Sequence, residues 1–73
     1  MSPPARDVPL RGDTIRLGQF LKLAGIVGAG GEAKAFLATH RVLVNGEAEE
    51  RRGRQLHAGD EVRIGDEVFR LVG

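Results

Sequence analysis

The chain has 73 residues but no cysteine, tryptophan or tyrosine, and its only aromatic residues are three phenylalanines. Without cysteine it can form no disulfides, thiolate metal sites or iron–sulfur clusters. Single-stranded nucleic acids usually stack on exposed aromatic side chains, and we expect the three phenylalanines to lie in the core instead. No segment approaches the roughly 20 apolar residues that cross a bilayer, and the first residues lack the apolar run of a signal peptide. We therefore expect a cytoplasmic protein with no membrane partner.

Residues that would build a catalytic or metal site are also scarce. His40 and His57 are the only imidazoles, and no further ligands stand at metal-binding spacing around them. Ser2 lies near the start of the chain, far from any positioned base. The carboxylates are numerous but form no acid–base pattern. These absences predict that the protein is not an enzyme and needs no cofactor or metal.

The composition is that of one small globular domain, with 41% hydrophobic and 29% charged residues. The net charge is only +1, but it is unevenly distributed. Residues 11–57 carry eight basic side chains against five acids, whereas residues 58–73 carry two arginines against four acids. A basic body with an acidic end suggests a surface for a polyanion on one side; ordinary solvated charge is the alternative interpretation.

The chain divides into a short arm and a folded domain. Residues 1–13 contain all three prolines and alternating charges, so we predict a flexible N-terminal arm that becomes extended near Val8–Leu10. Residues 14–73 carry the periodic patterns described next and form the predicted domain.

Two short helices are expected first. Apolar residues between Leu17 and Ala24 recur at i, i+3, i+4 and i+7, which is one face of a helix. Gly25 is placed to end that helix in the left-handed conformation, and Gly18 should weaken it by about 1 kcal/mol relative to alanine. Glu32 to Thr39 reads as the second helix. The glycine-rich turn 28–31 between them fits a dinucleotide-binding turn, but a helix precedes it where that motif needs a buried strand.

After Arg41 the apolar period changes from 3.6 to 2, which indicates strands. Asn45-Gly46 is a strong hairpin signal, and Gly65-Asp66 suits a second tight turn. Leu56 reads as a core anchor, followed by a turn at Ala58-Gly59-Asp60. Strands are predicted at 42–44, 47–50, 61–64 and 67–72. The order of an arm, two helices and then four short strands predicts an α+β fold.

The densest positive charge is the segment Arg51-Arg52-Gly53-Arg54. Arginine presents a planar fork of donors that can bind a phosphate in two places. Glu47, Glu49 and Glu50 stand just upstream, and we expect these acids to point to other faces of the hairpin. The segment is then a phosphate-binding loop; a solvated turn is the alternative.

Five short motifs follow one another along the chain: Ile15-Arg16-Leu17, Phe20-Leu21-Lys22, Gly31-Glu32-Ala33-Lys34, Val42-Leu43-Val44-Asn45-Gly46 and Gly59-Asp60-Glu61-Val62. In this order and spacing they resemble the S-four RNA-binding domain, also called the alpha-L RNA-binding motif. The resemblance is closest to its small stand-alone bacterial members, because of Leu21-Lys22-Leu23-Ala24-Gly25, Gly30-Gly31 and Arg51-Arg52-Gly53-Arg54. The resemblance implies a two-helix hairpin packed on a small twisted antiparallel sheet, and a module without catalytic activity that binds structured RNA. We expect a monomer whose partner is ribosomal or transfer RNA, or the ribosome itself. The candidate RNA-binding residues are Arg16, Lys22, Lys34, Arg41, Arg51, Arg52 and Arg54.

Two positions depart from the family pattern. Ala29 replaces the serine that often forms a capping box with Glu32, which predicts a less firm start of the second helix. His40 stands where the family usually has glycine, so we expect His40 to adopt a positive φ at some cost in strain. Alternatively, the His40 imidazole is a candidate RNA contact.

Two other classes of protein share parts of this pattern. Val44-Asn45-Gly46-Glu47 and Gly59-Asp60-Glu61-Val62 also resemble the small ubiquitin-like sulfur carriers. Those carriers need a terminal Gly-Gly pair, whereas this sequence reads Leu71-Val72-Gly73. A protein-interaction module with the same fold is the remaining alternative.

Overall fold

The computed structural model describes residues 5–28 and 32–73, which form two helices and seven strands within those ranges. Residues 29–31 of the glycine-rich turn, which include the capping-box position Ala29, lie outside the described residues, as do residues 1–4. The elements are β1 Ala5–Pro9, β2 Thr14–Arg16, α1 Leu17–Leu23, α2 Glu32–Thr39, β3 Val42–Val44, β4 Glu47–Ala48, β5 Gln55–His57, β6 Glu61–Ile64 and β7 Glu67–Val72.

The strands form two sheets. The larger has the order β1-β7-β6-β3-β4, and the smaller pairs β2 with β5. All pairs are antiparallel except β1 and β7, which run parallel with Ala5 opposite Val68 and Pro9 opposite Val72. The predicted α+β fold, two helices on a small sheet of short strands, is confirmed, and one parallel pair makes the sheet mixed.

One apolar cluster joins both helices to both sheets. From α1 it includes Leu17, Phe20 and Leu21, which are fully buried, as the helical spacing predicts. Phe20 meets Phe69 of β7 edge to face, with ring centroids 5.6 Å apart. Burying a side chain of this size contributes about 1.5–3 kcal/mol. Leu56, the predicted anchor, is also fully buried and carries β5 into the cluster.

The predicted turns have the expected backbone geometry. Asn45 and Gly46 both adopt a positive φ, at 52° and 86°, which is the pattern of a type I′ hairpin turn. Gly25 ends α1 with φ +76°, and its N–H donates to the Lys22 carbonyl. Gly59 and Gly65 are left-handed as well. These predictions are confirmed. They could be made from the sequence because each turn depends on a few adjacent residues.

The Asn45 turn is tied to the Gly59-Asp60 turn by side chains. Asn45 Nδ2 donates to Asp60 Oδ1 at 3.1 Å, and Asn45 Oδ1 accepts from the Glu61 N–H at 3.0 Å. Burial of Asp60 acts to raise its pKa, but hydrogen bonds from the His57 N–H and from Asn45 outweigh it, and the pKa lies below its ordinary value. The two turns therefore form one polar cluster at this end of the sheet.

The structure differs from the sequence expectation at the beginning of the chain. Ala5–Pro9, inside the expected flexible arm, is the edge strand β1, and Leu10 after it is buried with its N–H bonded to the Val72 carbonyl. Strands β2 and β5, which were not expected, pair with each other. Both pairings join segments that are far apart in sequence, and for this reason no local sequence pattern predicts them.

His40 is also placed differently from the expectation. Among the described non-glycine residues only Asn45 has a positive φ, so the predicted left-handed conformation at His40 is wrong. The His40 N–H donates to the Phe36 carbonyl at 2.8 Å and continues the helical pattern. Its ring stacks on Phe36 with centroids 4.2 Å apart and planes 9° from parallel. The end of α2 is thus stabilised by side-chain packing, without the backbone conformation that would require glycine.

Candidate nucleic-acid interface

The basic loop, residues 51–54, caps the beginning of α1. The first N–H groups of a helix lack partners within the helix, and no side chain caps α1 at Arg16. Instead the Leu17 N–H donates to the Arg54 carbonyl at 2.8 Å and the Gly18 N–H donates to the Arg52 carbonyl at 2.9 Å. This capping places the basic loop directly against α1.

Gly18 permits this close approach. A Cβ atom at Gly18 would lie 3.3 Å from the Arg52 Cβ, 3.4 Å from the Arg52 carbonyl oxygen and 3.5 Å from the Ala33 Cβ. The sequence indicated only that glycine weakens the helix here. In the structure Gly18 is the contact point of α1, α2 and the basic loop.

Three cationic side chains line one open groove of about 360 Å³ at this contact point. They are Arg16 at the end of β2, Lys22 on α1 and Arg52 from the basic loop. None of the three forms an ion pair within residues 5–28 and 32–73. We call this the α1 groove, and its remaining lining is Gly18, Gln19, Val27, Gly28, Ala33 and Gly53.

The charge of the α1 groove is positive. No carboxylate lines it in the described part of the chain, although Glu32 accepts a hydrogen bond from the Gly28 N–H at its border. Cations without local counterions raise the potential in a concave site and attract anions to it. The α1 groove is therefore suited to phosphate groups.

The other two arginines of the basic loop bind a buried acid. Glu49 is only 8% exposed; its Oε2 lies 3.1 Å from Arg51 Nε, and its Oε1 lies 3.0 Å from Arg54 Nη1. The Glu50 and Arg51 N–H groups also donate to Oε2. The expectation that the acids before the loop point elsewhere is wrong for Glu49, because this carboxylate folds back into the loop.

These contacts change the titration of Glu49. The hydrogen bonds from the Arg51 side chain and N–H favour the ionised form most strongly, with a smaller contribution from Arg54. They outweigh the cost of burial and lower the pKa of Glu49 from 4.5 to about 2. Glu49 is therefore a permanent anion at neutral pH and a fixed partner of the loop.

The remaining candidate residues are more dispersed. Lys34 is exposed on α2, next to Ala33 of the α1 groove. His40 and Arg41 do not line that groove; together they line a separate depression beside β3 and β6 with Leu43, Arg63, Ile64 and Gly65. The structure thus brings Arg16, Lys22 and Arg52 together, keeps Arg51 and Arg54 in the same loop on Glu49, and separates His40 and Arg41 from them.

Sequence reasoning missed two residues that shape this surface. Gly18 sets the distance between α1 and the basic loop, and Glu49 holds two of the loop's arginines. A glycine inside a helical pattern can signal close backbone approach, so Gly18 could have been found. Glu49 looked like one of three equivalent acids and gave no signal of its own.

A small α+β domain with a cationic groove beside its first helix has the form of a nucleic-acid-binding module. Residues 8–72 match the family model of the S4 domain, so the chain belongs to the S4 domain family, and the resemblance inferred from the sequence is confirmed. Among its relatives is the probable ribosome maturation protein RlbA of Bacillus subtilis (strain 168). It is 52% identical over 60 residues, which cover 82% of this chain and 84% of the relative. In the described ranges, neither helix has the length and apolar character needed to cross a membrane.

Proposed function

We propose that this protein is a non-enzymatic module that binds structured ribosomal RNA through the α1 groove. The observation that carries the proposal is the convergence of Arg16, Lys22 and Arg52 on one groove, where none of the three forms an ion pair within the described residues. Membership of the S4 domain family supports RNA as the ligand. The name of the Bacillus subtilis relative supports a ribosomal RNA and a role in ribosome maturation in the cytoplasm.

Phosphate contacts would dominate this interaction. The α1 groove offers guanidinium and ammonium donors, which bind phosphate oxygens, and its described lining includes no aromatic side chain on which a base could stack. Double-stranded RNA is recognised largely by its shape and backbone. The protein should therefore prefer folded RNA to unstructured RNA and show little dependence on base sequence. We further propose that it acts as a monomer.

The salt dependence of binding tests the electrostatic part of the proposal. Fluorescence anisotropy can measure the dissociation constant for labelled ribosomal RNA hairpins and for an unstructured oligonucleotide of equal length. About three to five phosphate contacts predict a log–log slope of affinity against salt near −2 to −4. A flat response, or no binding to any folded RNA at low salt, would overturn the proposal and favour a protein-interaction module. If the protein bound transfer RNA more strongly than every ribosomal fragment, transfer RNA would replace ribosomal RNA as the proposed ligand.

Charge reversal then tests the location. Arg16→Glu, Lys22→Glu and Arg52→Glu should each weaken RNA binding and make the salt slope shallower by about one. Arg63→Glu combined with Arg70→Glu is the control, because both side chains are exposed on β6 and β7 outside the α1 groove. Equal losses from both sets would indicate diffuse attraction, and the α1 groove would not be the site.

A further inference from the structure

Glu49, a buried acid just before the basic loop, accepts hydrogen bonds from an unusual number of donors. Five N–H donors lie within 3.2 Å of the two Glu49 carboxylate oxygens: the N–H groups of Glu50 and Arg51, Arg51 Nε and Nη2, and Arg54 Nη1. A carboxylate with this many partners has few alternative positions. Glu49 therefore fixes the conformation of the segment that follows it, including two arginine side chains.

The contact also determines which edge of Arg51 faces outward. Arg51 uses Nε and Nη2 to hold the two oxygens of Glu49, at 3.1 and 3.2 Å. Its side chain is nevertheless 76% exposed. A guanidinium has five N–H donors in a rigid fork, so the donors that Glu49 does not use remain available to a ligand. Glu49 thereby presents Arg51 to solvent in one orientation.

The same loop carries Arg52 to the α1 groove. The Arg52 and Arg54 carbonyls cap α1, and Arg54 Nη1 is held by Glu49 on the other side. Loss of the Glu49 contacts would free the Arg51 and Arg54 side chains, while the two carbonyl caps would still hold the backbone at Arg52 and Arg54. Arg52 in the α1 groove is thus flanked by two arginines that are held by an acid outside that groove.

We propose that Glu49 is a positioning residue for RNA binding: it holds the Arg51 and Arg54 side chains, so that the exposed Arg51 guanidinium meets an RNA phosphate already oriented. This inference rests on the proposed function. Its physical basis is that an ordered donor loses less conformational freedom when it binds. Glu49 touches no RNA, and it acts through the arginines it holds.

The proposal predicts an effect opposite in sign to simple electrostatics. Removal of a negative charge from an RNA-binding surface should strengthen binding through the reduced repulsion of phosphates. Removal of the Glu49 charge should weaken binding, because each freed arginine must be ordered again in the complex. Glu47 is the matched control, since it is exposed on the neighbouring strand β4 and belongs to none of the ion pairs in the described residues.

The test compares Glu49→Gln and Glu47→Gln in the full chain, with the ribosomal RNA hairpin that the wild type binds best. We expect Glu49→Gln to bind at least about threefold more weakly than the wild type and Glu47→Gln to bind as well or slightly better. Glu49→Asp keeps the charge but is too short to span both arginines, so it should also bind more weakly. Thermal melts followed by circular dichroism fix an assay temperature at which every variant is folded.

The outcomes separate this inference from the proposed function. If Glu49→Gln and Glu49→Asp bind as tightly as Glu47→Gln, the positioning role is wrong even though the α1 groove binds RNA. If the wild type binds no folded RNA, or Arg52→Glu leaves the affinity unchanged, the proposed function itself fails. Should Glu49→Gln not fold at any usable temperature, Glu49→Asp alone decides between the two results.

Discussion

Low pH should destabilise this protein in part because Glu49 becomes protonated. The size of that effect follows from the contacts of the Glu49 carboxylate. The pKa of Glu49 is about 2 in the folded protein, compared with 4.5 for a carboxyl without partners. Because the folded state holds the proton less tightly than the unfolded state, the stabilisation is fully present above pH 4.5. It is lost progressively as the pH falls from 4.5 toward about 2.

The contribution of Glu49 to the free energy of unfolding has an upper bound, and exposure to water lowers it. The difference between the two pKa values corresponds to about 3 kcal/mol. Arg51 is 76% exposed, and water weakens an ion pair whose cation is open to solvent. We therefore expect Glu49 ionisation to contribute about 1–2 kcal/mol to the free energy of unfolding at neutral pH.

Urea denaturation of the wild type and of Glu49→Gln at pH 7, 5, 4 and 3 measures this contribution. Urea is uncharged and does not screen the ion pairs. The free energy of unfolding of Glu49→Gln should lie below that of the wild type at pH 7, and the gap should narrow at pH 3. Asp60, whose pKa is also lowered, titrates in both proteins and cancels in the comparison. A gap that stays constant from pH 7 to pH 3, or an equal narrowing in Glu47→Gln, would refute the reasoning.

Three further substitutions test the backbone geometry. His40→Gly should lower the free energy of unfolding by about 0.5–1 kcal/mol, because the ring stack is lost and no left-handed residue is needed; stabilisation in chemical denaturation would contradict this. Replacing glycine by alanine inside a helix usually raises the free energy of unfolding by about 1 kcal/mol. Gly18→Ala should not show this gain, because the new Cβ lies against Arg52. Fluorescence anisotropy should also show that Gly18→Ala binds RNA more weakly. Gly46→Ala should cost about 1–2 kcal/mol because φ is +86°, and thermal melts should show a smaller effect for Gly53→Ala, which is not left-handed.

The parts of the fold that the sequence predicted are those encoded locally. The spacing from Leu17 to Leu21 identifies the buried face of α1 from one helical turn. Asn45-Gly46 specifies its hairpin because few residue pairs tolerate two positive φ angles. The S4 resemblance added the packing of the two-helix hairpin on the sheet, which the local patterns alone could not supply.

The missed features depend on pairings over distance. The alternating residues near Val8 fit an extended segment, but nothing near them indicates a parallel partner at Leu71. The contact of Gly18 with Arg52 likewise joins two segments that only the folded structure brings together. For the candidate site, composition identified the cations, but only the structure separates those in the α1 groove from those held by Glu49.

The pairing of β1 with β7 has a consequence for how the chain folds during synthesis. Ala5 pairs with Val68, about sixty residues later, so a long loop must close before this contact forms. A ribosome makes β1 early, and β1 has no partner until β7 has emerged. Contacts of such long range slow folding, and until β1 docks, the edge of β7 can accept a strand from another chain. Once β1 has docked, it covers the edge of β7 and itself becomes the edge of the sheet.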